Sequence, residues 1–275
     1  MLRDITIGQY YDVESVVHKL DPRTKIIATV VYIISLFCVK NILGFALAGV
    51  GLLLAVKLSR IPLKFILRGL KTIMVLLLFT VILNVFLVEG TPIVKWGFIS
   101  ISQEGIYTAV FMAFRLIFMV ITASLLTYTT SPIALTGGIE RLLSPLKLIR
   151  VPVHEIAMMM TIALRFIPTL SEEADKIIMA QKSRGADFES GSIFKRISAL
   201  VPILVPLIVS AFRRADELAM SMECRCYNGG DGRTRLHQFK ADTGDYLAVL
   251  IVAVFIGAVL WANHFGAITG VRISL

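Results

Sequence analysis

Cysteine, charge and acidic side chains are all scarce in this sequence. Only three cysteines occur in 275 residues, Cys38, Cys224 and Cys226. That excludes a disulfide scaffold, and an odd count split between an apolar run and a polar segment fits reduced thiols. Charged residues make up 17% of the chain, against about 25% in soluble domains. No stretch reads G-x-x-x-x-G-K-[ST], so a phosphate-cradling loop is missing. Asn228-Gly229-Gly230-Asp231-Gly232 is glycine-rich but lacks the lysine and reads as a turn. His154-Glu155 begins an H-E-x-x-H pattern that fails at Met158, and the four histidines (His18, His154, His237, His264) have no ligand spacing. Cys224-x-Cys226 offers two ligands and no second pair, so neither a metal nor a cofactor is expected. Without a nucleophile–base pair an enzyme is disfavoured. Residues 1–25 are polar, with Asp4, Asp12, Glu14 and Asp21, and do not resemble a cleavable signal peptide.

Apolar residues dominate instead. Hydrophobic types make up 56% of the chain, the mean hydropathy is +0.80, and 28 Lys and Arg outnumber 19 Asp and Glu. A basic and greasy chain points to a bilayer protein with a positive inner face rather than to a nucleic-acid binder. Apolar runs cover about 26–39, 42–56, 72–88, 105–128 and 246–262. The first two, parted by Lys40-Asn41, are basic on both outer flanks: Arg3, Lys19, Arg23 and Lys25 before, Lys57, Arg60, Lys64, Arg68 and Lys71 after. Both flanks then belong on the positive side, which requires a hairpin turning near Lys40-Asn41. The same rule sends the third run out and the fourth back, and leads the fifth out to Arg272. Lys40, Lys95 and Arg272 are left outside, with Arg115 inside a span. An intramembrane arginine faces a protein interior or a polar cavity. The expected architecture is an all-α integral membrane protein of about five spans, N-terminus cytoplasmic and C-terminus external. Six spans follow if 131–149 or 197–212 dips into the bilayer.

The expected organisation is an N-terminal membrane domain over 1–128, a cytoplasmic module over 129–243, and a C-terminal transmembrane helix with an external tail over 244–275. The module opens on Thr129-Thr130-Ser131-Pro132, a hydroxyl N-cap followed by proline at the first helical position. From Val153, the residues Ile156, Met160, Ala163, Ile167, Leu170, Ala174 and Ile177 recur at spacings of four and three, a sustained helical seam. This helix runs to Arg184 with Gly185 as its cap, about 47 Å by rise per residue. A second helix is expected from near Ser192 to Cys226-Tyr227. Both read as too charged to span and too apolar to stand alone, so the seams should be buried. Each ends on an arginine between small residues: Ser183-Arg184-Gly185 and Cys224-Arg225-Cys226. A guanidinium so flanked can enter a groove on a partner and pair bidentately with a carboxylate. One such arginine is explained by the helix dipole; two at equivalent ends suggest paired docking.

These segments resemble the T component of energy-coupling factor (ECF) transporters. His18-Lys19-Leu20-Asp21-Pro22-Arg23-Thr24-Lys25 before the first span matches a family motif. So do Arg165-Phe166-Ile167-Pro168-Thr169-Leu170, Ala180-Gln181-Lys182-Ser183-Arg184-Gly185-Ala186-Asp187-Phe188 and Gly232-Arg233-Thr234-Arg235. The family hallmark is a pair of Ala-Arg-Gly-like triplets at the ends of two coupling helices. Here Ser183 replaces Ala in the first, and Cys224 and Cys226 replace both small residues in the second. The resemblance implies a non-catalytic coupling subunit of a vitamin or micronutrient importer in a prokaryotic plasma membrane. Two ABC-type ATPases would dock on Ser183, Arg184, Gly185, Cys224, Arg225 and Cys226. A separate substrate-binding S component would capture the vitamin in the bilayer. A permease moving solute through its own spans is the alternative, weakened because only Arg115, Asn84 and scattered hydroxyls are polar within the spans.

Overall fold

The computed structural model describes residues 10–39, 41–88, 91–96, 99–186, 193–229 and 242–268. Asp187-Phe188, Gly232-Arg233-Thr234-Arg235, most of the 228–232 turn, Lys40, His237 and Arg272 lie outside them. The chain divides into two units: Gly8–Gly138 with Phe239–Leu275, and Ile139–Gln238 with the first seven residues.

In the first unit, Ser15 caps the short α1 (Val16–Lys19) by accepting from the His18 N–H. Asp21 caps α2 (Pro22–Cys38) in the same way, accepting from the Arg23 N–H, with Pro22 at the first helical position. Then follow α3 (Ile42–Ser59), α4 (Leu63–Leu87), α5 (Gln103–Thr129) and α9 (Thr243–Ile268). α4 starts nine residues before the apolar run does, so Lys64, Arg68 and Lys71 sit in its first turns rather than in a loop. The 89–104 connection holds an antiparallel hairpin, β1 (Pro92–Trp96) and β2 (Ile99–Ser102), which no period-two pattern announced. α4 packs chiefly on α5; α2 and α3 each pack on α5 and α9. Two small apolar clusters hold the packing. Val56, Ile61, Ile66, Leu125 and Tyr128 form one, and Val39, Phe45 and Val259 the other. The remaining apolar surface points outwards: Met74, Val75, Leu78 and Phe79 on α4, Leu250, Ile251 and Val254 on α9 are all exposed. Such faces need lipid as their solvent.

Glycine permits close helix approach at one decisive point. A Cβ on Gly105 would stand 3.1 Å from the Asn84 carbonyl oxygen and 3.2 Å from that of Val85, and 2.8 Å from the Ser102 hydroxyl that caps α5. Backbone cannot yield as a side-chain end can. Gly105→Ala is therefore expected to cost about 1–3 kcal/mol and to lower the melting temperature in detergent. Gly257→Ala, where a Cβ meets nothing within 4 Å, should not.

α6 (Pro132–Leu142), within which the division falls, begins in the first unit and as expected, with the Ala134 N–H on the Ser131 hydroxyl. In the second unit a 3-10 helix follows over Ser144–Ile149, then α7 (Val153–Ser183) and α8 (Ile193–Cys224). Pro168 lies inside α7, and Pro202 and Pro206 inside α8.

Five of the described helices are long and apolar enough to cross a membrane: α3, α4, α5, α7 and the Ser198–Cys224 part of α8. The number agrees with the sequence expectation, but the set does not. α2, at 17 residues, is shorter, whereas α9 runs over 26 residues, its described apolar stretch being Thr243–Val259. α7 and α8 qualify because their charges are unevenly spread. In Val153–Leu170 only Glu155 and Arg165 are charged, the rest of the α7 charge crowding towards its C-terminal end. The expectation that these two helices carry too much charge to span is thus not upheld by composition.

Candidate functional site

α7 and α8 stop in the same way. At the end of α7 the Gly185 N–H donates to the Lys182 carbonyl (3.0 Å) and the Ala186 N–H reaches back to that of Gln181 (3.0 Å). At the end of α8 the Cys226 N–H donates to the Glu223 carbonyl (2.9 Å) and the Tyr227 N–H to that of Met222 (3.0 Å). Both are Schellman caps, in which the residue after the cap takes the left-handed conformation. Gly185 does so with φ +83°, and Cys226, without glycine's freedom, with φ +55°. The replacement of glycine in the second triplet therefore leaves the cap geometry intact. It costs about 1 kcal/mol of left-handed strain. Cys226→Gly is expected to remove that cost and slow amide exchange over Met222–Tyr227 about fivefold, read by mass spectrometry.

Arg184 and Arg225 occupy the equivalent cap position, and all six residues of the two triplets are exposed. The cap is made by backbone groups alone and leaves each arginine exposed at the end of its rod. Their carriers are braced alike. Glu173 of α7 receives the Ser210 hydroxyl of α8 and pairs with Arg214 at 3.0 Å. Glu173 precedes Arg184 by eleven residues, and Arg214 precedes Arg225 by the same eleven. Each tip thus stands about 16 Å along its own helix from the shared ion pair. The Glu173 carboxylate and its two donors, which tie the helices together, carried no sequence signal beyond ordinary surface charge.

The seam expected along α7 is only partly covered. Ala174 is buried and Leu170 and Ile177 are half-buried, but Ile156, Met160, Ala163 and Ile167 are exposed. On α8, Leu200, Val201, Leu204, Val205, Ile208, Val209 and Phe212 are exposed too. Among the described residues these stretches of both seams are left as exposed apolar surface.

The His18–Lys25 segment proves to be a buried fastening. The Lys25 ammonium donates to the His18 carbonyl (3.0 Å) and the Thr129 carbonyl at the end of α5 (2.9 Å). The Asp21 N–H donates to Asp245 of α9 at 2.7 Å, and the other Asp245 oxygen takes the Asp242 N–H at 2.9 Å. Lys25, Asp21 and Asp245 are all buried. Burial pushes the Lys25 ammonium down to about 8, with Asp245 and Asp21 acting against the shift.

No cluster of His, Cys, Asp and Glu able to hold a metal occurs among the described residues. His154 instead contacts Glu140 through Nδ1 at 3.0 Å, bracing α7 against α6.

Comparison with known proteins follows the same lines. A family model described as cobalt transport protein matches residues 13–236. The energy-coupling factor transporter transmembrane protein EcfT of Ruminiclostridium cellulolyticum is 56% identical over 264 residues, covering 96% of this chain and 99% of the relative. The EcfT of Clostridium kluyveri is 53% identical over 258 residues, with 93% and 96% covered. That of Bacillus subtilis is 43% identical over 262 residues, with 95% and 98% covered.

Proposed function

This chain belongs to the family of energy-coupling factor transporter transmembrane proteins, and on that premise we propose that it is the scaffold joining two ABC-type ATPases to a substrate-capturing subunit. One observation carries the reading: two consecutive long helices end in the same cap, each presenting one exposed arginine. An arginine held at a rigid tip, relieved of capping duty, is suited to a carboxylate-lined groove on a partner. Two such tips at equal distance from a bracing ion pair suit two copies of one motor. ATP-driven closure of the motors would move the tips, and the rods would carry that displacement to the capture subunit in the bilayer. The exposed apolar surface of α7 and α8 supports an interface with that subunit or with lipid.

The chain on this reading is not an enzyme; ATP hydrolysis falls to its partners. Its place is a prokaryotic plasma membrane, with the N-terminus and both tips in the cytosol and the C-terminus outside. The Lys and Arg asymmetry along the sequence supports that orientation. It also keeps α7 and α8 on the inner side despite their length, since a crossing by α7 would carry Lys176, Lys182 and Arg184 outside.

Co-expression with two ABC ATPases and a capture subunit tests the assignment. Native mass spectrometry should find one copy of this chain with two ATPases and one capture subunit. A chain that never retains an ATPase would overturn it. Sidedness is read separately: a membrane-impermeant maleimide should label Cys224 and Cys226 only after right-side-out vesicles are opened. The permease alternative is weakened by what the polar groups within the spans do. The Asn84 amide donates to its own helix at Thr80 (2.8 Å), and Arg115 is bound to backbone. Solute uptake by vesicles holding this chain alone would revive it.

A further inference from the structure

Arg115 is buried to 6% exposure in the middle of α5. No carboxylate lies within ion-pair distance of it among the described residues. Its Nη2 donates to the Val39 carbonyl at 3.3 Å, its Nη1 contacts the Met112 sulfur at 3.7 Å, and its Nε has no partner. The guanidinium carbon lies 5.6 Å from the ring centroids of both Phe37 and Phe45. Val39 is the C-cap of α2 and lies at the tip of the α2–α3 hairpin. The charge is therefore spent on the negative end of a helix and on two aromatic faces.

The height of that tip follows from its neighbours. α3 runs beside α5 in the same direction: Phe45 lies 5.0 Å from Phe111, Gly49 faces Phe118, and Val56 shares a cluster with Leu125. The tip is thus level with α5 near residues 108–111. α5 begins higher, where Gly105 closes on the Asn84 and Val85 carbonyls near the end of α4. α9 passes the tip as well: Val259 packs on Val39, the Asn41 amide donates to the Ala262 carbonyl at 3.2 Å, and the helix continues to Ile268. Three helices overtop the hairpin by about 9 Å at 1.5 Å per residue. α2, at 17 residues, is only about 26 Å long, against a hydrocarbon core of about 30 Å.

We propose that the α2–α3 hairpin turns inside the hydrocarbon layer, short of the outer position that the order of Lys and Arg gives Lys40 but within reach of a snorkelling lysine stem, and that Arg115 is the positioning residue that makes this possible by capping the buried turn. A turn at that depth has no water for its free carbonyls, so protein donors must serve them. Arg115 serves Val39, and Asn41 reciprocates towards α9. A guanidinium fits because it donates in a plane while its faces stack on phenylalanines, so an unneutralised cation is held by dipoles rather than by a carboxylate.

Depth is measured on the full chain in vesicles of phosphatidylcholine and phosphatidylglycerol. Spin labels are placed at Ile42 beside the tip, at Gln103 at the start of α5, and at Leu78 in mid-α4. The Ile42 label should collide with oxygen in preference to a water-soluble nickel chelate, as the Leu78 label does, whereas Gln103 should show the reverse. An Ile42 label as open to nickel as Gln103 would overturn the proposal whatever any Arg115 variant does. Arg115→Leu should raise amide exchange in the 39–45 stretch about tenfold or more, the scale of a lost charge-assisted hydrogen bond. Arg115→Lys, which keeps one donor, should raise it less. Unchanged exchange in Arg115→Leu, or a lysine variant indistinguishable from leucine, would show that Arg115 does not cap the turn.

Discussion

A chain carrying both Arg184→Glu and Arg225→Glu should reach the membrane in normal amount and come out of it without ATPases. Neither arginine is buried and neither closes a core contact, so folding is not at stake. The caps that end α7 and α8 are made by backbone groups of neighbouring residues and survive the change. What changes is the charge offered at each tip. Interface arginines removed from buried pairs cost about 2–4 kcal/mol each, and, on the proposed docking, reversal would add repulsion from the partner's carboxylate. Retention should fall more than about a hundredfold, and ATP-driven uptake with it. Each single variant should lose one ATPase and keep the other if the tips act separately. The control is Lys147→Glu, an equal charge reversal at an exposed site of the same unit. Co-purification at wild-type stoichiometry by the double variant would remove the docking assignment while leaving family membership untouched.

Asp245→Ala should fail differently, by losing the chain itself. Its two carboxylate oxygens accept the buried N–H of Asp21 and the N–H of Asp242, and its charge steadies the Lys25 ammonium. Truncation leaves two donors unpaired and a buried cation without its principal counter-charge. Breaking a buried network from one side costs about 3–5 kcal/mol, a large part of the 5–15 kcal/mol that holds a typical domain. The expected readouts are a collapse in membrane yield and a markedly lower melting temperature in detergent. Asp245→Asn, which keeps one acceptor, should fall between. The pH dependence has a definite sign. Folding lowers the affinity of Lys25 for its proton to about 8, below the usual lysine range of about 10.4. Between those values the unfolded chain binds more protons than the folded one, so stability should rise with pH across that window. Lys25→Met should abolish the rise.

These outcomes separate two things that sequence reading merged. The His18–Lys25 segment and the two arginine triplets both carried the family resemblance. The first is a fastening inside the membrane unit and the second an exposed tip, and only the second is suited to meet a partner. Burial made the distinction, and burial depends on what the rest of the chain places nearby. Asp245 lies 224 residues from Asp21, and nothing in either local sequence couples them.

What the sequence settled alone was local. Pro22 after Asp21, Pro132 after Ser131, the four–three spacing from Val153 and the Gly185 stop are short-range signals, because caps and helical periodicity involve residues within a turn or two. The asymmetry of Lys and Arg is likewise a property of order along the chain. Tertiary structure decided the rest. It set the start of α4 at Leu63 ahead of its apolar run, and the hairpin over 92–102. It gave Cys226 a glycine-like left-handed backbone, joined Glu173 to Ser210 and Arg214, left half of the α7 seam uncovered, and turned Arg115 onto the Val39 carbonyl. Each depends on contacts between segments distant in sequence or on a backbone angle that neighbours impose, and neither periodicity nor composition encodes such terms.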